Sequence, residues 1–188
     1  AEMSEDSQLS ISPQGTDPDG DALTFSIVTI PENGQLELIN GLFSYTPNNN
    51  FIGTDFFTYL ANDGEYDSQI ATVNINIINV NDQPILSSID DYILQEGESL
   101  EIELHADDID GDNLLYSAIA DDDIAVDISG DLLTISPLAD NFNGDVEIIV
   151  TVTDGSLEHS ENLTLTYLPV NDSPQIGLIA DAQIEEDA

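Results

Sequence analysis

Lysine and arginine are absent from this chain of 188 residues, against 39 Asp and Glu, which gives a formal charge of −39. Nucleic acid is thereby excluded as a partner, because phosphates need Lys and Arg to replace their counterions. Anionic membrane surfaces are disfavoured for the same reason. Cysteine is absent too, which removes disulfides and thiolate metal sites and, in a secreted protein, the usual staple of small domains. Tryptophan is missing, so six Phe and six Tyr supply the aromatic content. No stretch approaches the roughly 18 apolar residues of a membrane span. No signal peptide is visible, but the chain reads as an excised internal segment and so says nothing direct about targeting.

The hydrophobic share is 40%, ordinary for a globular protein and too high for a disordered acidic tail. A chain with this charge repels itself. Two carboxylates about 4 Å apart cost roughly 1 kcal/mol in water and about 4 at a surface-like dielectric. With no internal cation, a soluble one must offset the repulsion, as diffuse salt or as a specifically bound ion. A well-solvated surface of halophilic or marine type accounts for scattered acidic residues. It does not account for acidic residues that cluster at repeated positions.

Such positions exist. Val80-Asn81-Asp82-Gln83-Pro84 returns as Val170-Asn171-Asp172-Ser173-Pro174. Pro cannot donate to a ladder and holds its predecessor extended, so this stretch suits a stiff joint rather than a strand interior. Between the joints the plan repeats at an offset of 91 positions: Glu5 with Glu96, Asp17 and Asp19 with Asp108 and Asp110, Phe51-Ile52-Gly53 with Phe142-Asn143-Gly144, and Asp63-Gly64 with Asp154-Gly155. The expected organisation is one repeat over 1–82, a second over 83–172, and the start of a third over 173–188, where Glu186 restates Glu96. That ending suggests a longer tandem array.

Within each repeat, short runs alternate apolar and polar residues between Gly, Pro and Asn-Asp turn signals. Strands are expected near 22–29, 35–39, 42–46, 55–61 and 70–79, with Leu9 and Ile11 in another. Their counterparts fall near 99–105, 113–119, 124–128, 131–136, 145–153 and 161–169. No helical period of useful length occurs. The expectation is all-β: antiparallel Greek-key sandwiches. Phe25, Phe43, Tyr45, Phe51, Phe56, Phe57 and Tyr59 are expected in the core rather than on a ligand platform.

The strongest chemical signal is Asp-x-Asp-Gly-Asp at 17–21 and again at 108–112. Calcium takes six to eight oxygens from carboxylates, amides and carbonyls, and alternate residues of an extended loop point two carboxylates the same way. An EF-hand is excluded. Counted from Asp17, its Gly and Glu positions hold Ala22 and Val28; counted from Asp108, they hold Asn113 and Ile119. A single such loop is often only a solvated Asp-Gly turn. Two in register, each with an upstream Glu and a downstream Asp-Gly, favour metal. Catalysis has little support. His105 and His159 align with Gln14 and Ser68 and read as solvent-facing strand or turn residues. No Gly-x-Ser-x-Gly elbow or phosphate-cradling Gly loop occurs. Composition leaves a glycosidase-type carboxylate pair open, but that needs a cleft between two carboxyls about 5–9.5 Å apart.

The order of an upstream Glu, D-x-D-G-D, F-x-G, D-G and a V-N-D-x-P joint resembles the bacterial cadherin-like repeats of large secreted or surface adhesins of biofilm and RTX type. The resemblance covers nearly the whole chain in two units. It implies two cadherin or immunoglobulin-like sandwiches with Ca²⁺ in the junctions. Carried over, the middle junction would use Glu5, Asn81, Asp82, Asp108, Asp110 and Asp154, with Asp55 as a secondary candidate. The next would use Glu96, Asn171 and Asp172, with Asp145 as the counterpart of Asp55. Asp17, Asp19 and Asp63 would serve a junction whose preceding linker is not in this sequence. The animal D-x-N-D-N joint is reduced here to Asn-Asp, and the D-R-E motif is absent, so one or two ions per junction are expected rather than three.

The function this implies is a calcium-stiffened extender in a bacterial surface adhesin. Its partners would be calcium ions and neighbouring repeats, outside the cell. The alternatives are a polysaccharide-binding or homophilic module and an accessory domain of a large secreted enzyme.

Overall fold

β-branched and aromatic residues at every second position build strands with one apolar face, and two such faces must close on each other. In the computed structural model, which describes residues 1–174, they do so twice. The chain divides into one compact unit over Ala1–Asp82 and another beginning at Gln83. Most of the stretch expected to open a third repeat, 173–188, lies outside the described residues, which end at 174.

The first unit runs β1 (Glu2–Ser4), β2 (Leu9–Ile11), β3 (Thr24–Thr29), β4 (Gly34–Ile39), β5 (Leu42–Pro47), β6 (Gly53–Asn62) and β7 (Ala71–Ile78). A sheet of order β1-β7-β6-β3 faces one of order β2-β5-β4. The core between them is largely aromatic. Phe43, Tyr45 and Phe57 are fully buried, and Phe43 meets Phe57 edge-on with ring centroids 5.0 Å apart. Met3, Ile75 and Ile77 complete it. Phe25, Phe51 and Tyr59 pack against this core as half-buried residues. Phe56 departs from the expectation: it is 48% exposed, because the strand alternation that buries Asp55 and Phe57 turns it outward.

The second unit runs β8 (Ile85–Leu86), β9 (Tyr92–Gln95), β10 (Leu100–Glu103), β11 (Ala106–Asp107), β12 (Leu115–Ile119), β13 (Ile124–Ser129), β14 (Leu132–Pro137), β15 (Gly144–Thr153) and β16 (Glu158–Leu168). Its sheets are β9-β16-β15-β12 and β10-β14-β13, with a small β8-β11 pair. Its core is aliphatic where the first is aromatic. Val146, Ile148, Val150 and Val152 on β15 face Leu163 and Leu165 on β16, and Tyr167 is closed over by Phe142.

One pairing differs from the antiparallel expectation in both units. β1 runs parallel to β7, and β9 runs parallel to β16. The acidic stretch Ala1 to Asp6, with Met3 as its only large apolar residue, shows no strand period in the sequence. It is an edge strand instead, anchored by that Met3 (8% exposed). The pairing carries a positional consequence. Ser4 lies beside Ile78, so Glu5 sits at the end where the first unit's chain leaves. β6 pairs antiparallel with β7, from Gly53 opposite Ile77 to Tyr59 opposite Ala71, so Asp63 beyond β6 sits at the other end. We call these the trailing and leading poles.

Candidate functional site

At the leading pole of each unit the Asp-x-Asp-Gly-Asp loop is folded around its first carboxylate. Asp17 Oδ1 accepts the amides of Asp19 at 2.8 Å and Asp21 at 3.1 Å. Asp108 Oδ1 accepts those of Asp110 at 2.9 Å and Asp112 at 3.2 Å. Gly20 and Gly111, at φ +86° and +76°, supply the left-handed residue that turns each loop back. One oxygen of each first Asp is thus committed to the loop. In the second unit the other one, Asp108 Oδ2, is buried without a hydrogen-bond partner among the described residues.

The loop gathers charge as well. One carboxylate oxygen from each of Asp108, Asp110 and Asp112 lies within 4.8 Å of the others. At such separations each pair repels by about 1 kcal/mol in water and by several times that at a protein surface. No Lys or Arg exists in the chain to relieve it. Three hard oxygens around one point, all of them carboxylate, suit calcium and offer nothing to a soft metal. Asp112 closes the Asp-x-Asp-Gly-Asp motif, although the Asp-x-Asp spacing alone marks only Asp108 and Asp110 as ligands. Its place at the fifth position, after the glycine turn, brings it back to Asp108.

The downstream aspartates repeat the same device. Asp63 Oδ1 accepts the amides of Glu65 and Tyr66, both at 2.7 Å, and Asp154 Oδ1 accepts those of Ser156 at 2.5 Å and Leu157 at 2.7 Å. The Tyr66 amide first, then that of Glu65, holds the Asp63 carboxyl below its usual range. Asp17 and Asp63 line one open cleft of about 250 Å³ with Tyr59 and Tyr66. In the second unit β12 begins at Leu115 opposite Thr153, which puts Asp108 and Asp154 at the matching pole.

The same pole of the second unit also receives its incoming chain. The Gln83 side chain donates to the Glu158 carbonyl, and the Leu86 amide donates to His159 Nδ1 at 2.9 Å. His159 is therefore half-buried and holds backbone, not the solvent-facing residue expected. Its other nitrogen lies 3.9 Å from Glu161.

At the trailing pole of the first unit Glu5 is 3% exposed. Its amide donates to the Ile78 carbonyl at 3.1 Å, and its Oε1 accepts the Val80 amide at 2.9 Å. Asn81 Nδ2 donates to the Asp82 carbonyl at 3.1 Å. The second unit repeats two of these contacts: Glu96 N–H to the Leu168 carbonyl at 2.9 Å, and Asn171 Nδ2 to the Asp172 carbonyl at 3.4 Å. Trailing-pole clefts are lined by Glu5 and Asp6 with Asn48 and Asn49, and by Asp172 with Asp140 and Asn141. These loop residues were missed. The F-x-G alignment that follows them marks where the loops lie.

Asp55, the secondary candidate for the middle junction, is bound into the fold of its own unit. It is 3% exposed and fully engaged. Its oxygens accept the amides of Glu32 (3.1 Å), Asn33 (2.9 Å) and Phe56 (2.8 Å) and the hydroxyl of Tyr45 (2.9 Å). Four donors on one carboxylate make a structural knot between the β3–β4 loop, β5 and β6. Asp145 is exposed and accepts the Thr166 hydroxyl at 2.7 Å.

Two sandwiches in tandem, each with an acidic pole fore and aft, define the class: immunoglobulin-like, cadherin-like repeats. The model of the bacterial Ig domain matches residues 1–76 and again 81–166, and the chain belongs to that family. No curated protein matches the chain. Among solved structures, protocadherin gamma B2 cadherin domains 3–6 is similar at 15% identity, over 92% of this chain and 46% of that one, with a TM-score of 0.55. Human protocadherin-24 EC1-2 is similar at 13% identity, over 84% and 85% of the two chains, with a TM-score of 0.52. An endo-fucoidan hydrolase of glycoside hydrolase family 107 matches at 18% identity with a TM-score of 0.36. This chain spans 24% of that enzyme's length. At these identities the likeness is one of fold.

Proposed function

We propose that this segment is a calcium-dependent spacer of a bacterial surface adhesin, stiffened where one repeat joins the next. Glu5, Asn81 and Asp82 from a trailing pole and Asp108, Asp110 and Asp154 from a leading pole supply the oxygens, with Asp112 added to the set. Glu96, Asn171 and Asp172 supply the trailing half of the following junction, and Asp17, Asp19 and Asp63 the leading half of the one before. The observation that carries this reading is the convergence of three aspartate oxygens within 4.8 Å at 108–112 in a chain with no cationic side chain. Bound calcium would offset their repulsion, and free energy gained by an ion that needs ligands from both poles becomes resistance to bending. Without calcium the acidic string stays loose. With calcium outside the cell it stiffens and holds a binding domain away from the surface.

Calorimetric titration of the chain with calcium, paired with small-angle scattering in calcium and in chelator, tests this. Saturable binding with a longer end-to-end length in calcium is expected. Equal lengths in the two conditions would refute the spacer.

A further inference from the structure

The second unit opens with β8, two residues that bind the entering chain to its leading pole. Leu86 pairs antiparallel with Ala106 and Ile85 with Asp107 on β11, and β8 also lies against β15 and β16. Leu86 is 2% exposed and belongs to the core. Three further bonds fasten the segment. The Ser87 amide donates to the His105 carbonyl at 2.8 Å, the Leu86 amide to His159 Nδ1 at 2.9 Å, and the Gln83 side chain to the Glu158 carbonyl.

The repeat offset of 91 positions carries each of these partners into the first unit. Ala106 and Asp107 become Gly15 and Thr16, His105 becomes Gln14, and Glu158 and His159 become Asp67 and Ser68. All of them line one open cleft of about 250 Å³. Tyr59 and Ala61 line it too, where the second unit has Val150 and Val152. Both valines are fully buried, and Tyr59 is half-buried. The Gln14 carbonyl is met by the Tyr59 hydroxyl at 3.4 Å, a long contact. Ser68 Oγ accepts the Ala61 amide at 2.9 Å, and a hydroxyl oxygen can accept two bonds.

We infer that this cleft is a strand-acceptor site whose occupant is the segment of the longer chain that enters the first repeat. The second unit gives the chemistry of that occupant. Residues 83–88 are Gln-Pro-Ile-Leu-Ser-Ser, uncharged in a chain with 39 carboxylates. A carboxylate here would meet the Asp17, Asp63 and Asp67 that line the first unit's cleft, and like charges repel. Proline holds the residue before it extended. Ile85 is 66% exposed, and Leu86 is the side chain that enters. The position is fixed as well. Leu86 lies six residues ahead of Tyr92, and Ala1 matches Tyr92 at the same offset, so the seated residue lies six ahead of Ala1. So short a tether gives the segment a high effective concentration at the cleft. The inference rests on the tandem reading of the joint and needs no calcium. It gives the entering joint a second fastening, by backbone bonds and one buried aliphatic side chain.

The test places a duplicate of residues 80–91 ahead of Ala1 in the whole chain, which sets the duplicated Leu86 in register, and follows it in chelator. The first unit is expected to melt at least about 5 °C higher than in the original chain. Hydrogen exchange at Phe57 and Ile75 is expected to slow at least about tenfold. The duplicated Leu86 methyls are expected to show nuclear Overhauser contacts to Ala61. Leu86→Ser in the duplicate alone should remove all three effects and leave the second unit's melt unchanged. An extended chain without these gains overturns the inference. So do gains that survive Leu86→Ser, since added length alone would then be the cause. Gains that grow with protein concentration overturn it too, because the occupant would then come from another molecule. Every reading is taken in chelator, so failure of the calcium spacer shows in the calcium titration and not here.

Discussion

Val80 donates its backbone amide to Glu5 Oε1 at 2.9 Å, closing a span of 75 positions from the first turn of the unit to the joint that leaves it. The glutamate is 3% exposed, so the bond is to a nearly dry carboxylate. Bonds to charged groups contribute roughly 1.5–3 kcal/mol. Glu5→Ala is therefore expected to lower the stability of the first unit by about that much in chelator, and by more in calcium if Glu5 is also a ligand. Glu5→Gln keeps an acceptor for Val80, so it should recover most of the loss in chelator but not the calcium increment. Thermal melts of the two variants with and without calcium separate the contributions.

Asp55 carries a heavier structural load and no expected metal role. Asp55→Ala strands the Tyr45 hydroxyl, which is buried, and frees three amides of the β3–β4 loop and β6. The expected cost is about 3–5 kcal/mol, the range seen when one partner of a buried charged network is removed. Calcium affinity measured by calorimetry should stay within about twofold of wild type, a shift of less than half a kcal/mol. A large loss of affinity in a variant that still melts cooperatively would return Asp55 to the ligand set.

The strands of both repeats were legible because period-2 alternation and turn residues act locally. Leu42–Pro47 and Gly144–Thr153 fall within a residue or so of expectation. β1 was not legible, since Glu2–Ser4 has one apolar residue and is a strand only because β7 offers it an edge. The aspartates of the two loops could be named from their spacing. The roles of Asp55 and His159 could not, because each depends on which distant amides the fold delivers. Phe56 and Phe57 show the limit within one strand: composition marks both as core, and register decides. Phe57→Ala is expected to cost about 3–5 kcal/mol, and Phe56→Ser under about 1. Denaturant melts that ranked the two the other way would contradict the register of β6.

Alkali should weaken the first unit through Tyr45. Burial, then the hydrogen bond to Asp55 and the charge of that carboxylate, push the Tyr45 hydroxyl well above its usual range. A folded value above the unfolded one means that the stabilisation is complete below the ordinary tyrosine value near about 10. It is then lost as pH rises through the folded value, because the unfolded chain gives up the proton first. Burial raises Tyr167 of the second unit in the same direction. Melting temperature followed from pH 8 upward should fall beyond about pH 10, and Tyr45→Phe should remove part of that fall. A Tyr45→Phe variant with an unchanged alkaline slope would exclude this hydroxyl as the source.

Asp108 divides its two oxygens between folding and, on the proposed reading, binding. Oδ1 accepts the amides of Asp110 and Asp112, while Oδ2 is buried and unpartnered among the described residues. Substitutions can separate the two roles. Asp108→Asn keeps a side-chain oxygen for the loop amides but removes the charge. Asp108→Ala removes both. The asparagine variant should retain slow exchange at the Asp110 and Asp112 amides while calcium binding weakens by about 10- to 100-fold, or roughly 1.4–2.8 kcal/mol. The alanine variant should lose the protection and the affinity together. In chelator the asparagine variant should be at least as stable as wild type, since it relieves the repulsion among three carboxylates within 4.8 Å of one another. Amide exchange and calorimetry on the two variants decide the matter. Wild-type calcium affinity in Asp108→Asn would mean that this loop is a turn and not a ligand.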